Sequence, residues 1–311
     1  MVAATIQEKS MPRRYATIDV FTERAFRGNP LAVVLDAQGL SAVQMQSIAT
    51  EFNYSETTFI LPPRDPTHTA HVRIFTPRIE VPFAGHPNIG TAVVLAGELE
   101  AAGSRRVDSF TFEEAAGLVQ IRLTRRGATV TGAQFTAPES LAVLATVSVE
   151  DAAACLSLAA SQISVSMHPP QVVSVGLPWL VAEVCSRDVL RRSKPNLQVH
   201  ERVMPPLGID GIFAYYCEPN TTRLHARVYA PLDATIEDPA TGSAAAAAIA
   251  LRTSVRPEPD LELHWRVEQG ADMGRPSLLF GHTEKYAGAL SRPRVSGDAV
   301  MVMNGHLCSD P

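Results

Sequence analysis

Two short segments of this chain carry the residues best suited to moving a proton, and they look like copies of each other. Arg73-Ile-Phe-Thr-Pro77 is followed by Glu80-Val-Pro-Phe-Ala-Gly-His86, and Arg227-Val-Tyr-Ala-Pro231 by Glu237-Asp-Pro-Ala-Thr-Gly-Ser243. Pairing Pro82 with Pro239 matches Gly85 with Gly242 and His86 with Ser243. An earlier echo pairs Gly28-Asn-Pro-Leu-Ala-Val33 with Gly176-Leu-Pro-Trp-Leu-Val181. A duplicated unit with proton-handling groups at matching turns predicts one site at the seam between two halves.

Both turns lead into runs without a charged residue, Pro87 to Gly97 and Ala244 to Leu251. Such runs read as enclosed helices, with Pro87 suited to a first helical position. A helix start presents unpaired N–H groups and a partial positive charge, which favour a carboxylate or phosphate. Two converging starts would hold an anionic substrate without Lys or Arg, touched by Gly85, Pro87 and Asn88 on one side and Thr241, Gly242 and Ala244 on the other. His86 is a candidate general acid or base near neutral pH; the plainer reading is a hydrogen-bonded core group. Asp238 would orient His86 or bind substrate, against a solvated turn carboxylate. Ser243 would stand at the second anion-holding helix start, against a simple cap. Glu56 stands alone in Phe52-Asn-Tyr-Ser-Glu-Thr-Thr-Phe59. A half-buried carboxylate can carry a proton both ways; a surface strand charge is the alternative.

The elements that must position these groups are legible from period and punctuation. Tyr15 to Phe21 and Leu31 to Leu35 read as strands around a Gly28-Asn29-Pro30 turn. Ser41-Ala-Val-Gln44 fits a capping box opening a helix that stops near Asn53. Ser55 to Leu61, His71 to Phe75, Leu261 to Val267 and Ala299 to Met303 read as strands, and Gly117 to Thr131 as a hairpin. Ala152 to Ala182 lacks Asp, Glu, Lys and Arg. Pro169, Pro170 and Pro178 interrupt it, so it reads as helix, turn and buried strand and not as a membrane span. Gly132 to Leu141 is the expected linker, giving lobes at 13–131 and 139–290.

The 311 residues suffice for two cored domains, and 46% hydrophobic with 19% charged content describes a compact soluble chain. A net charge of -5 argues against nucleic acid or an anionic membrane as partner and leaves a small molecule. Four separated cysteines without C-x-x-C spacing read as cytosolic free thiols. The polar start, Met1 to Arg14, reads as a loose tail lacking a signal-peptide core. The nine histidines are scattered without H-E-x-x-H or paired Cys/His spacing, so no metal is expected. No G-x-G-x-x-G follows a strand, so no dinucleotide is expected either.

Asp19-Val-Phe with Gly28-Asn-Pro30, Ser55-Glu-Thr-Thr-Phe59, Phe83-Ala-Gly-His-Pro87, Glu237-Asp-Pro-Ala-Thr-Gly-Ser243 and Gly274-Arg-Pro-Ser277 together resemble the PhzF-like family of phenazine-biosynthesis isomerases. The match runs in order from about Tyr15 to Leu307. It implies an α+β fold similar to diaminopimelate epimerase: two pseudo-symmetric lobes, each a barrel-like sheet around a central helix, with the first completed by a returning strand at 295–308. It further implies a cytoplasmic homodimer without cofactor, which shifts a proton within a small carboxylate such as trans-2,3-dihydro-3-hydroxyanthranilate. Glu56 matches the family's proton-shuttling glutamate, and His86, Asp238 and Ser243 match residues around the substrate. A two-thiol racemase of the same fold would need cysteines where His86 and Ser243 stand. A Ser-His-Asp hydrolase finds no G-x-S-x-G elbow in Ala240-Thr-Gly-Ser-Ala244. A binding protein that kept the fold without the chemistry is the third alternative.

Overall fold

The computed structural model describes residues 12–104, 106–233, 235–308 and 311. Its first half runs β1 (Arg13–Val20), β2 (Asn29–Val34), α1 (Ala42–Phe52), β3 (Glu56–Leu61), β4 (Ala70–Phe75), β5 (Glu80–Val81), α2 (Gly85–Ala101), β6 (Ser109–Glu114), β7 (Gly117–Arg126) and β8 (Thr129–Thr136). The second half opens with β9 (Ala142–Thr146), α3 (Val149–Cys155), β10 (Ile163–Ser164), β11 (Gln171–Ser174), β12 (Pro178–Val184), α4 (Arg187–Arg192) and α5 (Leu197–Val203). It continues with β13 (Ile212–Cys217), β14 (Arg223–Ala230), β15 (Thr235–Asp238), α6 (Gly242–Ser254), β16 (Leu261–Gln269), β17 (Ser277–Tyr286), β18 (Ala289–Leu290) and β19 (Arg294–Leu307).

The repeat in sequence is a repeat in topology. In the first half β2 and β3 are parallel, β3 and β4 antiparallel, and β4 and β6 parallel, with α2 inserted between the last two. The second half repeats this order with β12, β13, β14, α6 and β16. A ring closes as β1, β2, β3, β4, β6, β7, β8, β19 and back to β1. Closure removes the free edges of those eight strands, and the two-residue β5 lies beside β4 outside the ring. Residues 294–296 of β19 pair with β8 on one side and β17 on the other, so one strand serves both halves.

Each half wraps a helix that shows almost no face to water. From Gly85 to Val94 every residue of α2 is buried, and α6 is buried from Gly242 through Thr253. Both helices are apolar on all sides because strands surround them. The side chains of Ala244 to Ala248 are small enough for the strands to come close, and a larger residue there would cost about 1–3 kcal/mol in strain. A repeated bracket ties each strand pair ahead of its helix. Arg73 makes two bonds to Glu80, at 2.7 and 2.6 Å, and Arg227 two to Glu237, at 2.8 and 2.7 Å. Each guanidinium also lies 5.1 Å from the ring two residues on, Phe75 or Tyr229.

The capping box at Ser41 opens α1 and the left-handed Asn53 ends it, as its sequence predicts. Three expectations change. Gly132 to Thr136, read as linker, is the end of β8, because Ala133 and Phe135 alternate into the core. The crossing between halves is confined to 137–141. The helix-turn-strand expected at 152–182 instead becomes α3 followed by β10 and the β11/β12 hairpin. The tail ends earlier than expected: Arg13 and Arg14 already belong to β1, opposite Leu307 and His306, while residues 1–11 lie outside the described residues. No described helix is long and apolar enough to cross a membrane.

Candidate active site

The starts of α2 and α6 meet backbone against backbone. A Cβ added to Gly85 would lie 2.8 Å from the Gly242 Cα and 3.0 Å from the Ser243 nitrogen, distances real side chains do not tolerate. Neither helix has a side-chain cap on its first N–H groups or an acidic residue in its first turn. Two sets of orphan donors therefore open toward the same gap without a built-in carboxylate to neutralise them.

That gap is a narrow cleft of about 70 Å³. Glu56, His86, Asp238 and Ser243 all line it, as do Gly85, Thr241 and Gly242. Pro87, Asn88 and Ala244, expected on substrate, are not among its lining residues. Each turn of helix carries successive side chains about 100° apart, so the residues after His86 and Ser243 rotate into the core, where they are buried. A wider groove of about 840 Å³ beside Arg13, Asp36 and Pro62 contains none of these groups.

His86 Nε2 lies 3.3 Å from Glu56 Oε2. The His86 side chain is 3% exposed, and burial lowers its pKa to about 3. The contact is therefore one between a carboxyl and an uncharged imidazole, not an ion pair. Glu56 begins β3 and keeps 18% of its side chain exposed, within reach of both the cleft and His86. Asp238 is held from three sides: by Asn29 Nδ2 at 2.9 Å, Ser55 Oγ at 3.0 Å and Thr241 Oγ1 at 2.5 Å. Gln269 fastens the same turn, donating to the Asp238 carbonyl at 2.8 Å and accepting from the Thr241 N–H at 3.1 Å. Trp179 Nε1 donates to Ser243 Oγ at 3.2 Å, which leaves the serine proton to point elsewhere.

Asn29, Ser55, Trp179 and Gln269 were not singled out from the sequence. The Gly28/Gly176 echo contained the signal for Asn29 and Trp179. Gln269 lay at a strand end with nothing to mark it. No His86–Ser243 hydrogen bond exists among the described residues, so a serine–histidine relay has no geometry here. Elsewhere Glu262, His264 and His282 bring three ligand-type atoms within 4.8 Å on an outer face. Arg294 donates to His282 Nδ1 at 2.6 Å, so Nε2 carries the ring proton and is spent on Glu262 at 2.7 Å.

Two lobes around buried helices, with a carboxyl and an imidazole at their seam, define an isomerase of the epimerase-like fold class. A family model described as phenazine biosynthesis-like protein matches residues 18–305, and the chain belongs to that family, PhzC-PhzF. An uncharacterized isomerase of Mesorhizobium japonicum is 38% identical over 95% of this chain and 98% of its own. A trans-2,3-dihydro-3-hydroxyanthranilate isomerase of Pseudomonas chlororaphis is 33% identical over 94% and 98%. Among solved structures, a PhzF family protein from Bacillus anthracis superposes with a TM-score of 0.80 at 26% identity, covering 95% of this chain and 99% of that one. A hydroxyproline epimerase from Agrobacterium vitis shares the fold at 14% identity and a TM-score of 0.60, covering 97% of this chain and 94% of that one.

Proposed function

We propose that this isomerase shifts a proton within a small, unsaturated carboxylate, using Glu56 as base and then as acid and no cofactor. The substrate carboxylate sits against the N–H groups at the two helix starts. The Glu56 carboxylate takes a proton from an sp³ carbon; the C–H electron pair moves into the adjoining conjugated system. The protonated Glu56 then delivers the same proton to a second carbon, so charge and atoms balance with one group. His86, too desolvated to become cationic, presents an uncharged ring nitrogen 3.3 Å from Glu56, and a small turn of either side chain brings the two into hydrogen-bonding alignment. Asp238 and Ser243 hold polar substituents of the substrate.

The observation that carries this reading is the 3.3 Å approach of Glu56 to His86 beside the paired helix starts. The relative from Pseudomonas chlororaphis supplies the first substrate to try, trans-2,3-dihydro-3-hydroxyanthranilate. Turnover is followed by absorbance, and by mass in deuterated water for exchange at the carbon that gains the proton. Isomerised product supports the reading. Tight binding without turnover would identify a silent binding protein, and a cyclised product would assign the site to another reaction of the same frame.

A further inference from the structure

Two motifs that take no part in the proton shift, Gly28-Asn29-Pro30 and Gly274-Arg275-Pro276-Ser277, meet at one point across the seam. Arg275 Nε donates to the Gly28 carbonyl at 2.8 Å, and its Nη2 to Asp19 Oδ1 at 2.7 Å and the Arg27 carbonyl at 3.1 Å. The Gly28 N–H answers to the Pro276 carbonyl at 3.3 Å. Asp19, 4% exposed, gives its other oxygen to the Phe26 N–H at 2.5 Å. Gly28 has φ +67, and a Cβ there would lie 2.2 Å from the Val20 carbonyl oxygen, so only glycine makes this turn.

The turn delivers Asn29, which is completely buried. Its Nδ2 faces the Ala240 carbonyl at 2.8 Å, Asp238 Oδ1 at 2.9 Å and His86 Nδ1 at 3.2 Å. Reversing the amide would set its oxygen against a carboxylate and a carbonyl, so the NH₂ end must face them. A protonated His86 Nδ1 would then meet another donor head to head. The ring is left with its proton on Nε2, the nitrogen 3.3 Å from Glu56. Two N–H bonds serve three acceptors here, and the ring nitrogen is the most distant. A small displacement of the turn loses that contact first.

We propose that Asn29, clamped from the opposite lobe by Arg275, is a positioning residue that fixes His86 as the Nε2–H tautomer, so that the proton stays on the ring nitrogen 3.3 Å from Glu56. Its catalytic consequence rests on the proton-shuttle reading; the tautomer itself is observable without substrate.

Long-range ¹H–¹⁵N spectra of the full chain test this, with His86 assigned by its loss in His86→Gln. The wild type should show an unprotonated Nδ1 and a protonated Nε2. Arg275→Gln should give a mixture of tautomers and a kcat lower by roughly ten- to a hundredfold, with KM little changed. Asn29→Asp presents an acceptor to Nδ1 and should move the proton there. A protonated Nδ1 in the wild type overturns the proposal, as does a wild-type spectrum in Arg275→Gln. If Asn29→Asp fails to fold, those two measurements decide alone. An inactive wild type with the expected spectra would sink the isomerase reading while supporting the assignment of the tautomer.

Discussion

The two halves share a plan but not a chemistry, and the difference falls at one strand start. Thr57 faces Phe75 across β3 and β4, and Ile212 faces Tyr229 across β13 and β14. Phe75 and Tyr229 are matching residues of the repeat, so the place held by Glu56 in the first half is held by Gly211 in the second. A Cβ on Gly211 would lie 2.5 Å from the Tyr229 carbonyl oxygen and 2.9 Å from the Trp179 ring. The second half has thus filled its would-be base position with an indole. A second contrast lies behind the helix starts. His71 pairs with Glu113, and His225 with Glu268; the next residues are Glu114 and Gln269. Gln269 spends its amide on the turn before α6, whereas Glu114 is a buried carboxyl beside Asn88. Under the proposed proton shift, one half would supply the mobile proton and the other fixed polar contacts and a wall.

The sharpest way to break that division is to silence its active side. Glu56→Gln should lower turnover by about a hundredfold to ten-thousandfold while thermal unfolding stays unchanged; near-normal rates would remove Glu56 from the mechanism. Forcing the halves apart comes next. Gly85→Ala should lower kcat by about a hundredfold through misplacement, with a loss of about 1–3 kcal/mol in stability, read by kinetics and urea unfolding. Retention of full activity would show that close contact of the two starts is dispensable.

Making the halves more alike tests the buried acid. Burial pushes the Glu114 carboxyl well above its ordinary 4.5, so the folded chain keeps a proton the unfolded chain releases. Stability from this group is fully present below the unfolded value and is lost as pH rises through the raised folded one. The slope is at most about 1.4 kcal/mol per pH unit. Glu114→Gln, copying Gln269, should flatten the decline in urea titrations as pH rises above the ordinary carboxyl value of 4.5; an unchanged slope would show that another group causes it. The smallest effect belongs to Trp179→Phe, which keeps the wall but drops the bond to Ser243. Loss of one such bond is worth about 0.5–1.5 kcal/mol, read as a rise in KM or fall in kcat of a few fold.

Much of this was legible before any coordinates. Two uncharged runs, each after a Glu-x-Pro turn, marked the strand-wrapped helices, the resemblance to the PhzF-like family supplied the paired-lobe fold, and Glu56, His86, Asp238 and Ser243 do line one cleft. Local pattern carried that far because helix starts, caps and turns are written in neighbouring residues. Asn29 and Gln269 were missed because their partners are distant in sequence: Asn29 reaches Asp238 only after the lobes dock, and Gln269 reaches Thr241 only once β16 has paired within its own half. The linker was misplaced for a related reason. Gly132 looks like punctuation, but its neighbours Ala133 and Phe135 are drawn into a strand by β19 returning from the far end of the chain.

The Gly85–Gly242 contact has a consequence for how such a chain can diversify. Nothing stands between the two peptide backbones, so atomic radii alone set the interval between the two groups of N–H donors. Substitutions at Leu177, Trp179 or Asp210 around the rim can reshape what is admitted without altering that interval. New selectivity is open to drift on the walls, while the spacing of the two donor sets, and with it the carboxylate grip proposed for them, is inherited unchanged.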